Sequence, residues 1–74
     1  MSHIQAIVIS KEYYNRRQAE NWIRRHKYNP IKTVHETPMT FRYRLKEPNH
    51  DRYDYRIITL SIGIKAVVGY PYTE

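Results

Sequence analysis

Arg42, Arg44 and Lys46 alternate with Phe41, Tyr43 and Leu45 in the segment Thr40-Phe41-Arg42-Tyr43-Arg44-Leu45-Lys46. In an extended chain, side chains two positions apart share a face at intervals of about 7 Å. The three cations therefore form a row, with an apolar row on the reverse side. Phosphates along a nucleic-acid strand recur at a similar interval, and such a row neutralises a backbone without reading its bases. Arg56 joins the row if the following strand pairs with this one, and Lys32 extends it on the other side. Tyr53 and Tyr55 add aromatic faces on which bases stack. The same residues also have a purely structural reading. An exposed antiparallel face has to be polar, and Arg and Lys discourage edge-to-edge aggregation.

Four histidines (His3, His26, His35 and His50) raise acid–base and metal chemistry. No two of them stand four apart, as a zinc-binding helical pair requires, and the chain has no cysteine to complete a site. No metal and no cofactor is expected. The one catalytic arrangement to weigh is a small ribonuclease, with His35 as general base and Glu36, Arg42 and Arg44 gathered around a phosphate. Against it, the chain has no phosphate-cradling glycine loop, no nucleophile elbow and no carboxylate cluster for metal-dependent cleavage. The expectation is a binding protein and not an enzyme. A second basic cluster, Arg16, Arg17, Arg24, Arg25 and Lys27, lacks the partner helix of a helix-turn-helix reader and reads as a solvated helix face.

The composition sets the scale of what these residues can do. Seventy-four residues allow one domain, spanning 1–74, with one modest core. Thirteen Lys and Arg against seven Asp and Glu give a net charge of +6, which attracts polyanions in general. The eight tyrosines suit either base stacking or a protein interface. The absence of cysteine fits an intracellular protein, although a cysteine-free secreted domain is the alternative. No segment approaches the length of a membrane span, and neither a charged leader nor a membrane partner is expected.

The elements that must hold the cationic row follow from periodicity. Ile4 to Ser10 is short, apolar and β-branched, and predicts a central strand. Asn15 is an N-cap, with Gln18 completing a capping-box pattern. From Arg16 to about His26, Ala19, Trp22 and Ile23 mark one face of a helix, and Glu20 can pair with Arg24. Tyr28-Asn29-Pro30 stops it. Ile31 to Glu36 alternates as a second strand, and Met39 to Lys46 as a third. Glu47 to Asp54 is a polar loop, Tyr55 to Ser61 a fourth strand, Ile62-Gly63 a tight turn and Ile64 to Tyr70 a last strand. Gly63 and Gly69 are both expected at positive φ. The fold class is α+β: one helix packed on a mostly antiparallel sheet of four or five strands, in the order β-α-β-β-β-β.

Three segments taken together, Ala19-Glu20-Asn21-Trp22-Ile23-Arg24-Arg25-His26-Lys27-Tyr28, Phe41-Arg42-Tyr43-Arg44 and Gly63-Ile64-Lys65-Ala66-Val67-Val68-Gly69, resemble a small domain found in bacteriophage and other viral proteins. The resemblance implies a viral origin, and with it a place in the host cell cytoplasm or the virion, and carries no activity with it. From the cationic row and the tyrosines, the expected function is binding of nucleic acid, DNA or RNA, with little sequence specificity, through Arg42, Arg44, Lys46, Arg56, Lys32, Tyr53 and Tyr55. The alternative is a protein-interaction or virion-assembly module, as a homodimer or with an acidic partner, and the third reading is the small ribonuclease.

Overall fold

The structure is a computed structural model and describes residues 2–72. It contains one helix and five strands: β1 (His3–Ser10), α1 (Arg16–Arg25), β2 (His35–Glu36), β3 (Thr40–Arg44), β4 (Tyr53–Ser61) and β5 (Ile64–Pro71). All strand pairs are antiparallel, and the sheet runs β2-β3-β1-β5-β4. β1 lies at the centre because its apolar, β-branched side chains suit a strand with neighbours on both sides. Ile7 stands opposite Tyr43 on one side and Ala66 on the other, and Ile9 opposite Phe41 and Ile64.

Residues directly opposite each other in a ladder point to the same face. Ile7, Ile9, Phe41, Tyr43, Ile64, Ala66 and Val68 therefore share one face, and they form the core with Ala19 and Ile23 of α1. Ile7, Ile9 and Ile64 are fully buried. Among the described residues, the reverse face carries no second layer. There, Arg44, Ala6, Val67 and Ile57 form one cross-strand row, and His35, Arg42, Val8, Lys65 and Thr59 the next.

The helix begins where its capping residues allow. The Asn15 side chain accepts from the Gln18 amide at 2.8 Å, and the Gln18 side chain accepts from the Asn15 amide at 2.9 Å. Glu20 pairs with Arg16 at 3.0 Å, one turn back, and not with Arg24 as the i,i+4 spacing suggested. The helix also stops before Pro30 can act. Lys27 adopts φ +60°, its amide donates to the Arg24 carbonyl at 3.0 Å, and the Tyr28 amide donates to the Ile23 carbonyl at 3.1 Å. These two bonds are the Schellman termination, with lysine in the left-handed position that glycine usually fills.

Several local expectations need correction. The second strand shrinks from Ile31–Glu36 to His35–Glu36, between Pro30 and Pro38. Its first part is tied to the sheet by the Ile31 amide, which donates to the Arg44 carbonyl at 2.9 Å, and by Val34, which packs against the core. The fourth strand starts earlier than expected, at Tyr53. Gly63 does turn the chain at φ +79°, but Gly69 has no positive φ. Gly69 is buried within β5 because a Cβ there would meet Tyr55 Cε1 at 2.8 Å and His3 Cε1 at 3.0 Å.

Two glycine substitutions of opposite sign test these turns. Lys27→Gly removes the left-handed penalty on a side chain and should stabilise the domain by about 1 kcal/mol in urea denaturation. Gly63→Ala should destabilise it by about 1–2 kcal/mol, because the added Cβ also meets Tyr13 Cδ2 at 2.8 Å.

Candidate nucleic-acid interface

β3 positions the first two cations. Phe41 and Tyr43 are buried under α1, so Arg42 and Arg44 must project from the reverse face. β2 stands beside β3 with His35 opposite Arg42, which puts the imidazole on that same face. The residues before β2 fold back against β3 and bring Lys32 and Thr33 alongside. Lys32, Thr33, His35, Arg42 and Arg44 line one recess of about 110 Å³. Among the described residues, Arg42 and Arg44 make no salt bridge, and the Arg42 Nε is buried without a hydrogen-bond partner. Lys32 is different, because its Nζ lies 2.8 Å from Glu47 Oε1, and this pairing holds the Glu47 carboxyl below its ordinary pKa.

Lys46 lies just past the end of β3. Its amide donates to the Gln5 carbonyl at 3.1 Å, and the Gln5 side chain donates to the Lys46 carbonyl at 2.9 Å. Gln5 is the extra residue of a bulge between Ile4 and Ala6, and is buried. The Lys46 charge sits at the end of the sheet that carries His3. Tyr53, Tyr55 and His50 gather there too. The rings of His3 and Tyr53 meet edge to face at 4.6 Å, and those of His50 and Tyr55 at 5.1 Å. The Tyr55 hydroxyl accepts from the Asn49 amide at 2.7 Å, which ties the 47–52 loop down. Both tyrosines are half-buried and pack on each other and on histidine, so only part of each ring is open to a ligand.

Arg56 does not join the row. β4 pairs with β5 at the far edge of the sheet, and Arg56 stands opposite Val68, on the helix-side face. Its guanidinium is bound to Asp54 at 2.9 Å. Glu36 likewise leaves the proposed ribonuclease cluster. It stands opposite Phe41 on the helix side, where Lys11 at 2.6 Å and Arg16 at 3.8 Å hold its carboxyl below the usual range. His35 and Glu36 thus face opposite sides of the sheet.

Lys65 is not brought to this face by residue spacing alone. It is opposite Val8 and continues the row of Arg42 across β1. The alternation Lys65, Val67, Gly69 within the last strand carried that signal, but placing it beside Arg42 requires knowing that β1 separates β3 from β5. A larger groove of about 400 Å³ lies between α1 and residues 30–34. Its walls mix Glu20 with Arg16 and Arg24, so it concentrates no single sign of charge. The buried Tyr43 hydroxyl at this groove has no partner, and burial pushes its pKa up. Compared with protein-family models, with curated proteins and with solved structures, the chain gives no match.

The His3 ring is a pH probe of this end of the sheet. Burial first, then the Lys46 charge, hold its pKa below 6.5 in the folded state. Below pH 6.5 the unfolded chain binds a proton that the native state resists, so stability is present above that value and lost as pH falls through the lowered native pKa. Wild type should therefore lose more stability than His3→Gln between pH 7 and pH 5, measured as the shift of the urea midpoint.

Proposed function

We propose that this protein binds nucleic acid through the sheet face that α1 leaves open, contacting phosphates with little sequence specificity. The observation that carries the reading is the recess in which Arg42 and Arg44, both without carboxylate partners, converge with His35 and Lys32. Cations left unpaired in a recess are available to an anion, whereas those already in surface salt bridges must first exchange partners. The enclosed Nε of Arg42 adds to this: a donor without an acceptor costs about 1–3 kcal/mol, which a phosphate oxygen would offset. Lys65 and Lys46 carry positive charge away from the recess on either side, along the track a backbone would follow. Small side chains between them (Ala6, Val8 and Val67) let a strand approach the sheet closely.

Binding is the role proposed here, not catalysis. The separation of Glu36 from His35 leaves the recess without the carboxylate that the ribonuclease reading placed there. A protein-interaction or virion-assembly role is the second reading, and the length and apolar character of the β4 edge favour it.

Fluorescence anisotropy with labelled random DNA and RNA across a salt series tests the first reading. Binding in the micromolar range or tighter should weaken steeply with salt. Arg42→Ala/Arg44→Ala should make the log–log slope shallower by about 1.4 to 1.8, the loss of two phosphate contacts. Arg24→Ala/Arg25→Ala removes the same charge from the helix and should leave the slope near the wild-type value. No binding at low salt, or equal effects of the two double variants, would reject the open face as the contact surface.

A further inference from the structure

The two edges of the sheet are built differently. At one edge, β2 has two residues, one of them charged, and Pro38 follows closely. Such an edge is too short to template another strand. At the other edge, β4 has nine residues and pairs only with β5. From Ile57 to Ser61 (Ile-Ile-Thr-Leu-Ser) it carries no charge, no proline and no glycine. Ile57 is 67 % exposed, and Ile58 and Leu60 are each 41 % exposed. None of the usual protections of a free edge acts here before the irregularity between Thr59 and Ser61.

The ladder also reveals which backbone groups of β4 are free. The Tyr72 amide donates to the Arg52 carbonyl at 3.1 Å, so Arg52 and Tyr72 form a hydrogen-bonded pair. Hydrogen-bonded and non-bonded pairs alternate in an antiparallel ladder. Asp54, Arg56 and Ile58 therefore bond inward to β5, while Tyr55, Ile57 and Thr59 direct their N–H and C=O groups outward. Pro71, which has no N–H to give, falls opposite Tyr53 at a non-bonded position, as this alternation requires.

We propose that β4 pairs antiparallel with β4 of a second copy of this chain, about a two-fold axis at Ile57, joining two five-stranded sheets into one. The partner for this edge has to be a strand of high β-propensity that brings no unpaired charge to the seam, and β4 itself is one, because its Asp54 and Arg56 bind each other. Symmetry restricts the register, because a two-fold axis normal to the sheet pairs only residues that share a face. With Ile57 opposite its own copy, Tyr55 meets Thr59 twice, and the outward groups of all three residues exchange about six hydrogen bonds. Arg56 then lies opposite Ile58, and its charge stays with Asp54 of its own chain. The neighbouring register on one side sets Arg56 against its own copy, which like-charge repulsion disfavours. The one on the other side has to bring Leu60 into the ladder, where the strand is already irregular. Although each copy carries +6, the seam holds no unpaired charge.

Sedimentation velocity on the full chain tests the pairing without nucleic acid, over about 1 to 100 μM in 0.5 M salt, where charge repulsion is screened. Wild type should sediment as a dimer at the upper end. Ile57→Lys sets like charges against each other at the axis and should weaken self-association by about tenfold or more. Thr59→Pro should do the same, because the N–H it removes points outward and takes no part in the β5 ladder. Ile62→Lys, in the turn beyond the pairing, should leave the dimer intact. Circular dichroism establishes that each variant is folded. A wild type that stays monomeric at 100 μM overturns the proposal, as does a dimer that survives Ile57→Lys and Thr59→Pro. Either result leaves the nucleic-acid reading untouched, since that rests on Arg42 and Arg44 of β3, three strands away from this edge.

Discussion

A helix of ten residues is about 15 Å long and, with its side chains, about 10–12 Å across, and it has to cover a sheet of five strands spaced about 4.8 Å apart. It cannot reach all of them. The core shows where the cover lies: Ala19 and Ile23 pack over Ile7 and Ile9 of β1, Phe41 and Tyr43 of β3, and the near part of β5. Beyond that the helix-side face of the sheet has no lid, and Ile58 of β4 and Tyr70 of β5 stay exposed. The exposure of Ile58 and Tyr70 follows from this mismatch of widths, whereas the reverse face is open because α1 packs on the other side of the sheet.

A one-layer sheet of this kind needs its uncovered centre to tolerate water, and the residue sizes reflect that need. On the reverse face, the central strands present Ala6, Val8, Val67 and Gly69, which leave little apolar area to hide. Ala6 is nevertheless fully buried and Val67 nearly so. Their cross-strand neighbours Arg44 and Ile57 have long side chains, and an arginine stem can lie along an apolar surface while its guanidinium stays in water. The same arginines thus have two roles, one as partial cover for the sheet and one as unpaired charge at its surface. Gly69 repeats the theme at the other end, where the space left by a missing side chain is filled by the His3 and Tyr55 rings.

The α+β class, the capping box and the period-2 segment around Arg42 were legible from residue type and spacing, because each depends on neighbours within a few positions. Asn15 with Gln18, and Phe41 with Tyr43, are such local signals. What the sequence did not show depends on which strand lies beside which. Consecutive strands often pair, which groups Arg56 with Arg42 in the sequence, yet β4 follows β3 in the chain and lies three strands away from it. Lys65 is hidden for the complementary reason: β5 is far from β3 in the chain and one strand removed from it in the sheet. The two-residue β2 escaped because alternation alone does not show that Pro30 and Pro38 leave the segment between them only two positions in the ladder. Lys27 escaped because lysine gives no hint of a left-handed backbone, a conformation set here by the bonds of Tyr28 and Lys27 back to the helix.

The central strand has a consequence for how the chain acquires its structure. β1 is flanked on one side by β5, and Ile7 meets Ala66 across almost the whole length of the chain. No hairpin contains this pairing, so a long loop must close before the apolar face of β1 is fully covered. Folding of such a topology is slow compared with a helical bundle of equal size, because distant segments have to find each other before burial repays the lost chain entropy. A nascent chain that has not yet released β5 carries Ile4, Ile7 and Ile9 with one side of their strand unpaired. That interval, more than the folded state, is when the chain is most exposed to wrong strand partners.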